Sequence, residues 1–147
     1  MLPEGIHIRH LEGRDLETLL NMDWRGLPKE RFSIYLLFCV HFHQTSLVAE
    51  KDGDMVGVLV GSTDADGKMA YLNHIVVQKT WEGQGIGRTL IEQWLDLLRQ
   101  RGVKKVWLHG DIDLYRRFGF EESDDVFDPA IMEHYRQHDR KVLARDL

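Results

Sequence analysis

Apolar and polar residues change period several times along the chain, and each change marks an element. Ile6-His7-Ile8-Arg9-His10-Leu11 alternates and predicts a half-buried strand, after which Asp15 to Met22 places Leu16, Leu19 and Leu20 on one helical face. Pro28 suits the first turn of a second helix reaching to about His43; its apolar residues point all round, so it is expected to be covered on two sides. Two β-rich runs, 46–50 and 55–62, flank Lys51-Asp52-Gly53-Asp54 and predict a hairpin. A second turn signal, Asp64-Ala65-Asp66-Gly67, precedes Met69 to Val77, whose continuous apolar run Ile75-Val76-Val77 is expected in the centre of a sheet. Leu90, Ile91, Trp94, Leu95 and Leu98 then line one face of a helix over 88–101, which Gly102 ends. Residues 103–109 and 140–145 read as strands and 114–118 as a short helix. The span 121–139 has no dominant period, and its acidic stretch Glu121-Glu122-Ser123-Asp124-Asp125 reads as a solvated loop. Strands before and between helices, joined partly by hairpins, imply a mixed α/β sheet with helices on its faces in a single domain over 1–147.

Composition narrows the function. A net charge of −5 with both signs interspersed offers no basic surface, so no nucleic acid partner is expected. The apolar run Ile34 to Val40 is broken by His41 and His43 and is too short to span a bilayer, so no membrane is expected either. The single cysteine, Cys39, has no internal partner, and Met1-Leu2-Pro3-Glu4-Gly5 lacks the zones of a signal peptide, which together favour a reducing, cytoplasmic setting. His41 and His43, two apart on a helix, point to different sides, and no metal is expected. Cys39 among Phe38, Val40 and Phe42 reads as an inert core thiol. The all-round apolar helix makes a homodimer possible.

The strongest chemical signal is Glu82-Gly83-Gln84-Gly85-Ile86-Gly87-Arg88, set between a buried strand and a helix. Alternate glycines let the backbone approach a ligand, and the unpaired N–H groups of a helix first turn attract an anion, so a phosphate or pyrophosphate is the expected guest. A P-loop needs Lys then Ser or Thr after its last glycine, and a dinucleotide fingerprint needs glycine at 88; Arg88-Thr89 satisfies neither.

This loop resembles motif A of the GNAT superfamily of acetyl-CoA-dependent N-acetyltransferases, and Leu114-Tyr115-Arg116-Arg117-Phe118-Gly119-Phe120 resembles that family's short helix with a tyrosine followed by a Gly-Phe turn. With the hairpin of residues 48–57, the resemblance runs over roughly residues 6 to 120 in the family's order. It implies a mostly antiparallel mixed sheet splayed between the fourth and fifth strands, acetyl-CoA as co-substrate, and transfer to a primary amine, whether a small molecule or a peptide or protein, by direct attack in a ternary complex. A non-catalytic acyl-CoA-binding or sensing module on the same fold is the alternative. Cofactor-binding residues implied are Ile75, Val76 and Val77 through their backbone and Glu82, Gly83, Gln84, Gly85, Ile86, Gly87 and Arg88 at the pyrophosphate.

Tyr115 is the implied general acid; His109, ending the strand before it, and His74, preceding the cofactor strand, are equal candidates for the base, with water as the alternative. Two departures from the family stand out. Glu82 replaces the usual Arg or Gln and sets a carboxylate beside the expected pyrophosphate, where it should weaken CoA slightly, and Leu108-His109-Gly110-Asp111-Ile112-Asp113-Leu114-Tyr115 is shorter than the common family segment, with a Gly-Asp turn before the tyrosine. Tyr71 stands where some relatives place a glutamate base.

Overall fold

The computed structural model describes residues 2–147. Seven strands form one sheet in the order β1-β2-β3-β4-β5-β7-β6, every pair antiparallel except β4 with β5. Strands β1 (Ile6–His10), β2 (Leu47–Lys51), β3 (Asp54–Thr63) and β4 (Met69–Val77) make a continuous meander, and β4 lies at its centre as the apolar run requires. Asp52 and Gly53 both take positive φ at the β2–β3 turn, the backbone that a two-residue hairpin demands.

Helix α3 (Ile86–Gln100) lays Leu90, Trp94 and Leu98 on one face of the sheet. At Gly61 a Cβ would fall 2.6 Å from the Trp94 ring, so the absent side chain of β3 is what admits the largest residue of the helix. Trp94 Nε1 donates to Thr45 O at 2.9 Å, which satisfies the polar atom of this fully buried ring. Helices α1 (Leu16–Asn21) and α2 (Phe32–His41) cover the other face over Val48, Val58, Val60 and Val76.

Three expectations are corrected. Helix α2 begins at Phe32, so Pro28 belongs to the preceding loop, not to a first helical turn. That helix is covered on one side only: Tyr35, Phe38 and Cys39 are buried, while Phe32 and Val40 are 56% and 54% exposed and Leu36 and Leu37 lie beside them. The acidic stretch is not a loop throughout, because Glu121–Ser123 forms β6, an edge strand on β7 (Val142–Asp146). The ambiguous span also holds α5 (Pro129–Gln137), started by Asp128, whose carboxylate accepts from the N–H groups of Ala130 and Ile131. Among the described residues no helix is long and apolar enough to cross a membrane.

Candidate functional site

The parallel pair is where the sheet opens. Strand β4 meets β5 (Lys105–Leu108) only at Met69, Ala70 and Tyr71, and past Tyr71 the two strands part. A bulge between Val60 and Gly61 shifts the register against Asn73, so that Ala70 and Leu72 before it and Ile75 and Val77 after it all face α3. Gln78 N bonds Val56 O at 2.8 Å, and by antiparallel alternation the Val76 backbone also turns to β3. The backbone groups of Ile75 and Val77 therefore face the gap, whereas Val76 brings no backbone group to it.

Beside the gap lies a cavity of about 250 Å³ lined by Ile75, Val76, Val77, Gly87, Arg88 and Tyr115, with Ile91, Leu114, Arg117 and Phe118 completing it. Gly83 and Gly85 hold φ of 74° and 86°, a region that side-chain-bearing residues avoid. Gly85 is the N-cap of α3, and no side chain caps the first-turn N–H groups. Gly87 is different: its backbone is ordinary and a Cβ there would meet only Val77 Cγ2, at 3.6 Å. Nothing in the protein requires a glycine at 87, and the space its missing side chain leaves belongs to the cavity.

Tyr115 ends α4 (Ile112–Tyr115) and is 7% exposed; burial pushes its phenol above the usual value, so it is neutral near pH 7. Gly110 makes room for it, since a Cβ would lie 2.6 Å from Tyr115 Cε2. Arg88 lines the cavity but turns its guanidinium along the helix to Glu92, 3.0 Å away.

Glu82, Gly83, Gln84, Gly85 and Ile86 do not line the cavity, and Glu82 is not a bare carboxylate. Arg25, from the loop between α1 and α2, places Nη1 2.5 Å from Glu82 Oε1 and donates to Val77 O at 3.0 Å. The carboxylate at 82 thus has a cationic partner from 57 positions upstream.

His109 is not in the cavity. Strand β5 turns Val106 and Leu108 toward α3 and Trp107 toward the opposite face, and His109 continues on that opposite face, stacked on Tyr135 with Nε2 2.9 Å from its hydroxyl. Burial lowers its basicity first, and Arg140 lowers it further. Tyr71 stacks on Trp107 with centroids 4.0 Å apart and meets the His109 ring edge-on. His74 lies farther along β4 with Nε2 3.2 Å from Glu30 Oε1. Tyr115 and His109 thus flank the gap from opposite faces of the sheet. Sequence reasoning missed Arg25, Glu30, Trp107 and Tyr135: the first two sit in a loop with no period, and the last in the ambiguous span.

The GNAT acetyltransferase family model matches residues 13–120, and the chain belongs to that family. It is 34% identical over 82 residues to an L-2,4-diaminobutyric acid acetyltransferase of Nocardia farcinica, covering 55% of this chain and 42% of that one. The chain spans about half the length of the curated relatives it matches. A GNAT acetyltransferase of Brucella melitensis in complex with acetyl-CoA superposes with a TM-score of 0.64 at 28% identity over 79% of this chain and 82% of that one. Ard1 of Thermoplasma volcanium shares the fold, with a TM-score of 0.72 at 19% identity over 97% and 98% of the two chains.

Proposed function

We propose that the chain is an N-acetyltransferase that takes acetyl from acetyl-CoA and passes it to a primary amine in a ternary complex. The observation that carries this reading is the conjunction, at one cavity, of strand backbone at Ile75 left without a partner strand, the uncapped first turn of α3, and a buried neutral phenol. The first-turn N–H groups from Ile86 onward and the positive end of the helix hold the pyrophosphate, with Gly83, Gln84 and Gly85 shaping the approach. The Ile75 N–H and C=O receive the pantetheine arm, and Gly87 leaves room for it.

The acceptor then enters from the opposite face, where His109 stands. Its lowered pKa keeps the ring neutral at pH 7, with a lone pair for the amine proton. Which nitrogen is free follows from the tautomer: if Tyr135 accepts from Nε2–H, Nδ1 is the base, and if Tyr135 donates, Nε2 is engaged. Tyr115 acts on the leaving sulfur. A thiol has a pKa near ~8.5, and a phenol raised above ~10 is the weaker acid, so Tyr115 stabilises the thiolate chiefly by hydrogen-bond donation. Acceptors named for the relatives, diaminobutyrate among them, support an amine as the acceptor. A buried free thiol at Cys39 supports the reducing cytoplasm as its setting.

Thiol release from acetyl-CoA over a panel of amines and peptides tests the reading. Tight CoA binding without release on any acceptor would overturn it in favour of the acyl-CoA-sensing module.

A further inference from the structure

On the face of the sheet opposite the cofactor cavity, a recess of about 320 Å³ runs from the β3–β4 turn to the mouth of the gap. Ser62, Thr63, Asp64, Met69, Tyr71, Trp107 and Phe127 line it, and no lysine, arginine or histidine is among them. We propose that this recess is an acceptor subsite for the second ammonium group of an α,ω-diamine, with Asp64 binding that ammonium and the aromatic walls holding the methylene chain. The proposal rests on the acetyl-transfer reading above and names a substrate class within it.

Position comes first. Tyr71 is the last β4 residue paired to β5, so it stands at the mouth of the gap and meets the His109 ring at a centroid distance of 6.0 Å. Asp64 stands at the other end, its N–H bonded to Met69 O at 2.9 Å. Met69 and Tyr71 are two residues apart on one face, a separation of about 7 Å at the rise of a strand. Adding the reach of the Asp64 side chain, an ammonium at Asp64 and an amine at the gap lie roughly 7 to 9 Å apart. An extended chain advances about 1.2 Å per bond, so six or seven bonds fit, which is a diamine of five or six carbons.

Chemistry selects the same class. Both hydrogen bonds that the Asp64 carboxylate accepts, from Lys68 N at 2.9 Å and Met69 N at 3.1 Å, fall on Oδ1, which fixes the carboxylate and leaves Oδ2 for an incoming cation. Lys105, the nearest cation on that face of β5, is paired with Asp146 at 3.6 Å. A carboxylate-bearing acceptor finds no cationic partner on these walls. The stacked Tyr71 and Trp107, with Phe127 edge-on to Trp107 at 4.8 Å, give the intervening methylenes an apolar wall, worth about fourfold in binding for each methylene removed from water.

The test compares α,ω-diamines of three to eight carbons with monoamines of matched carbon number, using thiol release from acetyl-CoA. We expect kcat/KM to peak at five or six carbons and to exceed the matched monoamine about two- to fivefold, the range for an ion pair to an exposed carboxylate. Asp64→Asn keeps the Oδ1 acceptor and the turn, and should bring diamine kcat/KM down to the monoamine level. A flat length dependence, or diamines indifferent to Asp64→Asn, overturns the subsite and leaves the acetyl-transfer reading standing if monoamines are turned over. Calorimetry of 1,6-diaminohexane against hexylamine, with CoA present, gives a readout free of turnover. Binding that depends on Asp64 without any acetylation would keep the subsite and overturn the transfer reading; no difference between the two amines would overturn the subsite.

Discussion

Gly87 carries the sharpest residue-scale argument, because neither its φ nor its protein neighbours call for a glycine. Gly87→Val should leave thermal stability within about 1 kcal/mol, since valine is no worse than glycine in a helix. The same branched side chain would fill the cavity, and acetyl-CoA affinity measured by calorimetry should fall at least about tenfold, the equivalent of ~1.4 kcal/mol. Unchanged affinity would mean that the cofactor does not enter beside α3. Tyr115→Phe removes only the hydroxyl: kcat should drop by roughly 10² with acetyl-CoA affinity nearly unchanged. The drop should not be larger, because a phenol less acidic than the thiol donates a hydrogen bond more readily than a proton. His109 gives a pH signature. Since its pKa is lowered from 6.5, the base is in its working form above that value, and kcat at saturating acceptor should lose activity only as pH falls below 6.5. In His109→Gln that acid limb should vanish; its persistence would take the base role away from His109.

At the scale of elements, the loop between α1 and α2 behaves as a strap over the open end of β4. Trp24 anchors it in the core, stacked on Tyr35 at 5.5 Å, while Arg25 reaches the Val77 carbonyl and Glu82, and Glu30 reaches His74. Arg25 spans the last gap-facing carbonyl of β4 and the first residue of the glycine loop, so it fixes where the loop leaves the strand. Glu82→Gln should therefore weaken acetyl-CoA slightly, within about 1 kcal/mol because the pair is partly solvated, and Arg25→Ala should weaken it at least as much. Isothermal titration at low and high salt checks this; tighter binding by Glu82→Gln would restore the view of Glu82 as a repulsive charge. From sequence alone Glu82 reads as repulsive because local pattern names the neighbours in the chain, not those in space. Elements with a period, β1 and α1, the strands of the β2–β4 meander and α3, were legible for the same reason: burial of one face repeats along a strand or helix and leaves its mark on the order of residues; α2, apolar all round, was misread. The strap has no such repeat, and Arg25 with φ of 57° is visible only once folded.

Across the whole molecule, the site is a local parting of two strands in an otherwise continuously paired open sheet. The gap itself was foreseen from the resemblance, and its two-sided chemistry was only half legible: Tyr115 carries a motif, whereas the face holding His109, Trp107 and Tyr135 is assembled from β5 and from a helix in the span without a period. The far edge is tied by a charge cluster in which Arg9 makes a bidentate pair with Asp15, 2.8 Å on each arm, and a third bond to Glu50 at 2.9 Å. Burial would raise the Asp15 carboxyl, but the Arg9 guanidinium and the Glu12 N–H outweigh it and hold it below its usual 3.8. The depressed folded value means that this contribution is fully present above pH 3.8 and is lost as pH falls through the folded pKa. Arg9→Met removes the main cation from two poorly solvated carboxylates and leaves only Arg14, 3.8 Å from Glu50, to answer them, at a cost of about 3 kcal/mol, or roughly 10 °C in Tm for a domain of this size. The loss should shrink as pH falls below 3.8, where Asp15 takes up its proton and no longer needs the cation. Because β1 and β2 lie on the far side of β3 from the gap, kcat measured well below the transition should stay at the wild-type level. Thermal melts of both forms from neutral pH to pH 3, paired with kinetics at 20 to 25 °C, make the check. A Tm difference indifferent to pH would show that Arg9 acts through its packed methylenes instead of its charge; a fall in kcat without a fall in Tm would mean that the gap between β4 and β5 is set by the opposite edge of the sheet.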